Sequence, residues 1–112
     1  FARRILKAVE ETPIRISDET TIYKTCSIGY CSLPFHTGAP DLLDLEQTIN
    51  VSDFAMYLAK EKGRNRAARI SLKQQSIPTL DCKEYLQKLN KTDPVKEAFI
   101  EVSFIENSIS IQ

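Results

Sequence analysis

The sequence lacks a net charge and long hydrophobic runs, and each absence excludes a class of protein. Fifteen Lys and Arg residues balance fifteen Asp and Glu residues over 112 positions. No overall field therefore draws the protein to DNA or to an acidic membrane, and any anion-binding site must be local. No apolar run approaches the ~20 residues that cross a bilayer, and the N-terminus has no secretory pattern.

Cysteine and histidine are also scarce. The three cysteines cannot all pair with one another, so a disulfide scaffold is not indicated and a reducing compartment is expected. Cys26 and Cys31 lie five positions apart on a predicted strand, where they face opposite sides and cannot easily share a metal ion. The single histidine, His36, lies in a loop rich in Pro and Gly. A catalytic pair of Cys31 and His36 is a weak alternative to incidental thiols.

The first part of the chain predicts a helix and a hairpin. Residues 1–11 have the spacing of an amphipathic helix, with an apolar side formed by Phe1, Ile5, Ala8 and Val9. The stretches "PIRI" and "TIYKTCSIGYCSL" are rich in β-branched and aromatic residues, and together they predict the two strands of a hairpin. Gly29 lies inside the second strand, where a missing side chain usually marks a bulge or the close approach of another backbone.

A second helix and a strand are predicted next. Asp41 or Asp44 can cap this helix, and Gly63 is its natural end, because glycine readily adopts the left-handed conformation found there. Its predicted core side carries Leu45, Ile49, Ala55, Met56 and Ala59. The stretch "RAARISL" then predicts a strand.

The last forty residues are harder to assign. After a polar linker over residues 73–80, Asp81 and Glu84 resemble a capping box that opens a short helix. The segment that follows Asp93 and Pro94 is either a helix, with Val95, Phe99, Val102 and Ile105 on one face, or a β-branched strand. The predicted fold class is α/β (α+β), a largely antiparallel sheet with flanking helices, and the sheet looks incomplete.

The strongest charge asymmetry lies between residues 60 and 69. Five basic residues oppose one acid there: Lys60, Lys62, Arg64, Arg66 and Arg69 against Glu61. Cations near a helix C-terminus complement the helix dipole by about 0.3 to 1 kcal/mol each, which alone can explain the cluster. Alternatively, Lys60 and Arg64 converge on phosphate oxygens. Nucleic-acid binding ranks low, because Tyr57 is the only aromatic residue nearby.

Two stretches of this sequence resemble a known family. "TCSIGYCSLPF" over residues 25–35 and "VSDFAMYLAKEKGRNRAARI" over residues 51–70 closely resemble the C-terminal half of the GGDEF domain, the diguanylate cyclase family. The matching positions are Ser27, Ile28, Gly29, Asp53, Tyr57, Ala59, Lys60, Gly63, Arg64 and Asn65. Ser52 stands at the family's alanine position, and Met56 replaces its leucine.

The resemblance implies a domain that condenses two GTP molecules into cyclic di-GMP with Mg²⁺ or Mn²⁺, as a homodimer in bacterial signalling. It implies that Lys60 and Arg64 contact the GTP phosphates, whereas Asp53, Tyr57 and Asn65 match positions interpreted as structural. Residues 1–72 would be the C-terminal part of that domain, and residues 73–112 an extension of unknown role, helical in part. No nucleic-acid partner is expected, and any membrane anchor would belong to other segments of a longer parent.

The family's signature is absent from these residues. No Gly-Gly-Asp/Glu-Glu-Phe occurs in the chain, which begins at Phe1 without an initiator Met, so a piece of a longer protein is expected. The metal-binding and guanine-contacting residues of the family would lie in the missing half. We therefore expect no catalytic or metal-binding residue and no bound metal here, and no cyclase activity from these residues alone. The alternative is a degenerate GGDEF domain that serves as a nucleotide-binding receptor or as a regulatory or dimerisation module.

Overall fold

The computed structural model describes residues 1–73, 78–91 and 94–106. The elements within these ranges are α1 (Ala2–Glu11), β1 (Ile14–Arg15), β2 (Thr21–Ile22), β3 (Ser27–Tyr30), α2 (Leu45–Glu61), β4 (Arg66–Leu72), α3 (Leu80–Gln87) and β5 (Ile100–Glu106). Strands β1 and β2 form a small antiparallel sheet, and a second sheet has the order β3-β4-β5. Two of the three pairings in the described ranges are antiparallel. The predicted α+β class with an incomplete sheet is confirmed.

The prediction of a single long second strand in the hairpin is wrong. The stretch breaks after Ile22, and only two residues on each side pair within the hairpin: Ile14 with Ile22, and Arg15 with Thr21. Strand β3 leaves the hairpin and pairs in parallel with β4. The reason is burial: the hairpin buries little, with Ile14 46% exposed and Tyr23 63% exposed, whereas β3 lies beside the most buried strand of the protein.

Helix α2 connects β3 to β4 and forms a parallel βαβ unit with them. Asp44 caps α2 by accepting from the Gln47 backbone amide at 2.7 Å, while the Gln47 side chain accepts from the Asp44 amide at 3.0 Å. Asp44 is thus the correct one of the two predicted caps. The buried residues of α2 are Thr48, Val51, Phe54, Ala55 and Ala59.

Two predicted core residues of α2 lie outside that buried stripe. Leu45 is 60% exposed and Ile49 is 54% exposed. At 3.6 residues per turn they lie roughly 100° to 140° around the helix from the centre of the stripe. The prediction from apolar spacing placed both residues on the core side of α2. In the structure only the side of α2 that packs on the sheet is buried.

The predicted apolar side of α1 is also wrong. Leu6 is fully buried, and Ala2, Val9 and Glu10 are partly buried on the same side. Phe1 is 93% exposed and Ile5 is 36% exposed. The helix is rotated relative to the prediction because Leu6 is inserted into the core, and this rotation turns the Glu10 carboxylate inward.

Leu6 and Ile5 allow a direct test of this orientation. Leu6→Ala is expected to lower the free energy of unfolding by about 2 to 5 kcal/mol, because it opens a cavity at a fully buried site. The matched change Ile5→Ala, one position away, is expected to cost about 1 kcal/mol or less. Urea unfolding followed by circular dichroism measures both. Equal losses for the two variants would contradict the orientation of α1.

Helix α3 and strand β5 join the same core. Helix α3 contributes the buried side chains of Cys82, Tyr85 and Leu86. Thr79 caps it by accepting from the Cys82 amide at 3.1 Å, so the predicted start at Asp81 with Glu84 is wrong. The strand alternative is correct for residues 100–106, since β5 pairs with β4 along seven residues, and residues 107–112 of that segment lie outside the described residues. No helix in the described ranges is long and apolar enough to cross a membrane.

Candidate functional site

The candidate site is the turn that joins α2 to β4, residues Gly63, Arg64 and Asn65, called here the G-R-N turn. Helix α2 ends at Glu61, close to the predicted stop at Gly63. All three turn residues have positive φ, at 135°, 63° and 50° respectively. Glycine and asparagine adopt such values readily, but an arginine there carries strain of roughly 1 to 3 kcal/mol.

Three of the five predicted cations are engaged within the protein. Lys62 Nζ lies 5.6 Å from the centre of the Phe104 ring. The Arg66 guanidinium contacts Glu106 Oε1 at 2.9 Å and also donates from Nε to the Arg64 carbonyl oxygen at 2.9 Å. Arg69 donates to Ser32 Oγ at 3.0 Å. The side chains of these three residues therefore have partners in β5, in the G-R-N turn and in the segment after β3.

Lys60 and Arg64 differ from the other three. Both are exposed, and within residues 1–73, 78–91 and 94–106 neither side chain forms a hydrogen bond, an ion pair or a contact with an aromatic ring. The Arg64 amide donates to the Ala59 carbonyl oxygen at 3.0 Å, which ties Arg64 to the last turn of α2 beside Lys60. The two predicted phosphate ligands therefore extend from the same end of α2 and are free to bind an anion.

The turn is fastened to α1 by a contact that the sequence did not reveal. Asn65 Nδ2 donates to Glu10 Oε2 at 2.8 Å. Glu10 Oε1 is buried and has no hydrogen-bond partner in the described part of the chain. The helical pattern predicts Glu10 on the outer side of α1, so no signal in the sequence pointed to it. The interpretation of Asn65 as structural agrees with this contact.

Gly29 allows helix α2 to pack closely against strand β3. A Cβ atom at position 29 would collide with the Ser52 carbonyl oxygen and the Met56 amide nitrogen, both backbone atoms of α2. The missing side chain therefore lets the α2 backbone rest directly on β3. The predicted close approach of another backbone at Gly29 is confirmed.

The cysteines do not form a reactive cluster. Cys31 faces α2, with Sγ 3.1 Å from Ser52 Oγ and donating to the Thr48 carbonyl oxygen at 3.5 Å. Burial raises the pKa of the Cys26 thiol, and it also raises the pKa of Cys82 despite an opposing hydrogen bond at Thr79. Raised values keep both thiols protonated and poorly nucleophilic near neutral pH. No hydrogen bond joins Cys31 to His36 in the described ranges.

The described residues do not form a metal site. They contain no group of three or more His, Cys, Asp or Glu side chains that could hold a metal ion. Lys60 at the end of α2 and Arg64 in the G-R-N turn are cations whose side chains have no partner in the described residues, and such groups can bind the oxygens of a phosphate chain. Comparisons of the chain with protein-family models, with curated proteins and with solved structures find no match.

Proposed function

We propose that this chain is the C-terminal portion of a diguanylate cyclase, in which Lys60 and Arg64 bind the phosphates of GTP. One observation carries the proposal: these two cations, unpaired in the described part of the chain, lie together at the end of α2, one of them on a strained turn. The resemblance of the surrounding residues to the GGDEF family supplies the substrate. Residues with a strained backbone are found most often at binding and catalytic sites, which favours a functional role for Arg64.

The two cations would act by positioning and by charge. Phosphoryl transfer depends mainly on orienting the phosphates and on neutralising the charge that develops on their oxygens. Arg64 can hold two oxygens through its planar guanidinium, whereas Lys60 acts as a mobile point charge. The described residues do not fit the Mg²⁺ or Mn²⁺ that the resemblance implies, so the role of this chain is limited to binding and orienting phosphate.

The other parts of the proposal follow from the same resemblance. The intact protein would act in the cytoplasm as a homodimer of GTP-loaded domains that releases cyclic di-GMP. A degenerate domain that binds nucleotide without turnover would use the same two cations. The presence or absence of turnover in the intact protein therefore separates the cyclase from the receptor.

Binding of inorganic triphosphate to the purified chain tests the two cations. Lys60→Ala and Arg64→Ala are each expected to weaken binding about tenfold, which corresponds to about 1.4 kcal/mol. Lys83→Ala, which removes an exposed lysine from α3, is the matched control and should change binding less than twofold. Titration followed by NMR measures the affinity. The ionic strength is kept low because salt screens exposed charges. Equal effects of all three substitutions would refute a specific phosphate site.

Turnover provides the second test. The chain alone, with GTP and magnesium, is expected to form no cyclic di-GMP. In an intact parent protein with a complete signature, Arg64→Ala should reduce turnover strongly, and Lys83→Ala should leave it unchanged. Product analysis by chromatography measures both. Cyclic di-GMP formed by the isolated chain would overturn this division of roles.

A further inference from the structure

We propose that Glu10 is a positioning residue that holds Arg64 in its strained conformation by way of Asn65. This role rests on the proposed function, because it matters for binding only if Arg64 binds phosphate. It adds a residue from α1, more than fifty positions away in sequence, to a site otherwise built from α2 and the G-R-N turn. Glu10 does not itself touch the phosphates.

The G-R-N turn has a strained backbone conformation that must be held in place. Three consecutive residues have positive φ, and two of them are not glycine. Such a turn persists only where its surroundings fix it. The Arg64 amide is bonded to the Ala59 carbonyl oxygen at 3.0 Å, and the Arg64 carbonyl accepts from Arg66 Nε at 2.9 Å. These contacts fix the two sides of Arg64.

A hydrogen bond from α1 helps to hold Asn65 in place. Its Nδ2 donates to Glu10 Oε2 at 2.8 Å, the distance of a strong charge-assisted hydrogen bond. Helix α1 is itself held by the fully buried Leu6, one turn before Glu10. The acceptor is therefore presented from a rigid element, and it limits the motion of the residue next to Arg64.

The Glu10 carboxyl group is costly to bury. Its Oε1 atom has no hydrogen-bond partner in the described residues, which is unfavourable for a charged oxygen. The hydrogen bond that Oε2 accepts from Asn65 Nδ2 offsets part of this cost. The inward-facing carboxyl group is therefore explained by its contact with the turn.

The experiment compares three substitutions in the whole chain: Glu10→Ala, Glu10→Gln and Glu11→Ala. Glu10→Ala removes the acceptor. Glu10→Gln keeps an acceptor oxygen of similar reach, and Glu11→Ala removes the neighbouring, exposed acid as the matched control. Two quantities are measured: the hydrogen-exchange rate of the Arg64 amide relative to the Ala59 amide, and the affinity for inorganic triphosphate.

Glu10→Ala is expected to raise the relative exchange rate of Arg64 about tenfold, because the turn opens locally while α2 stays folded. Triphosphate affinity should fall in parallel. Glu10→Gln should restore both quantities to within about twofold of the unmodified chain, and Glu11→Ala should change neither. A merely structural role for Glu10 would raise exchange at Arg64 and Ala59 together and leave their ratio unchanged.

The outcomes separate the two proposals. If Arg64 exchange is unaffected by Glu10→Ala, or if Glu10→Gln opens the turn as much as Glu10→Ala, the positioning role is overturned. If the unmodified chain does not bind triphosphate, the proposed function fails, but the exchange ratio still decides whether Glu10 holds the turn. Asn65→Gly gives a second approach if Glu10→Ala does not fold, because glycine keeps the positive φ and removes only the amide. In the Asn65→Gly variant the exchange rate of the Arg64 amide relative to the Ala59 amide should also rise. An unchanged ratio of these two rates would count against the positioning role of Glu10.

Discussion

Gly29→Ala is expected to unfold the protein. The new methyl group would collide with the Ser52 carbonyl oxygen and the Met56 amide nitrogen, and it would lie 2.8 Å from Met56 Cα. All three are backbone atoms inside α2, so no side chain can rotate away to make room. Relief requires α2 to move off β3, which disrupts the packing of the helix on the sheet. The expected loss, about 5 kcal/mol, is comparable with the whole stability of a small domain.

Gly38→Ala is the matched control for that change. A Cβ atom at position 38 would meet only the His36 side chain, at 3.2 Å, and a side chain can shift by a few tenths of an ångström. The expected cost is below about 1 kcal/mol. Circular dichroism at room temperature and urea titration measure both variants. A folded Gly29→Ala variant with a near-normal unfolding midpoint would show that α2 does not rest on β3 in this way.

Asn65→Asp is expected to destabilise the folded protein strongly near pH 7. It replaces the amide donor with a carboxylate, so two negatively charged groups would face each other across the former 2.8 Å hydrogen bond to Glu10. Losing the bond and adding repulsion at a partly buried site should cost about 2 to 4 kcal/mol near pH 7. Thermal and urea unfolding measure the loss.

The pH dependence of the stability of the Asn65→Asp variant shows whether repulsion between the two carboxylates causes the loss. A proton shared between the two carboxyl groups restores a donor and an acceptor, so the folded variant binds protons more tightly than the unfolded chain. Its stability relative to the unmodified protein should therefore rise as the pH falls from about 7 toward 5. The double variant Glu10→Gln with Asn65→Asp reverses donor and acceptor and should recover much of the loss at neutral pH. A loss independent of pH and of Glu10 would contradict the contact.

The features that could be predicted from the sequence are those decided within a few residues. The cap at Asp44, one of two predicted candidates, the helix stop near Gly63, and the close approach at Gly29, one of two predicted alternatives, each follow from local chemistry. The position of Lys60 and Arg64 near the same end of α2 follows from the same local pattern, whereas their binding of phosphate stays a prediction.

The remaining features depend on surfaces that meet only in the fold. Several apolar faces of α1 were compatible with its sequence, and the insertion of Leu6 selected one of them. The break between β2 and β3 reflects competition between a weak hairpin and a buried parallel neighbour. Glu10 could not be found because its importance depends on Asn65, fifty-five residues later, and on the rotation of α1.

Strand β5 has a consequence for the solubility of the folded chain. It covers β4 along seven residues, and β4 contains Ala67, Ala68, Ile70 and Leu72, all buried. Without β5 this apolar strand would be the open edge of the sheet and a template for pairing with other chains. Proteolytic cleavage between Leu72 and Ile100, followed by loss of the released piece, would therefore convert a folded protein into one prone to aggregation.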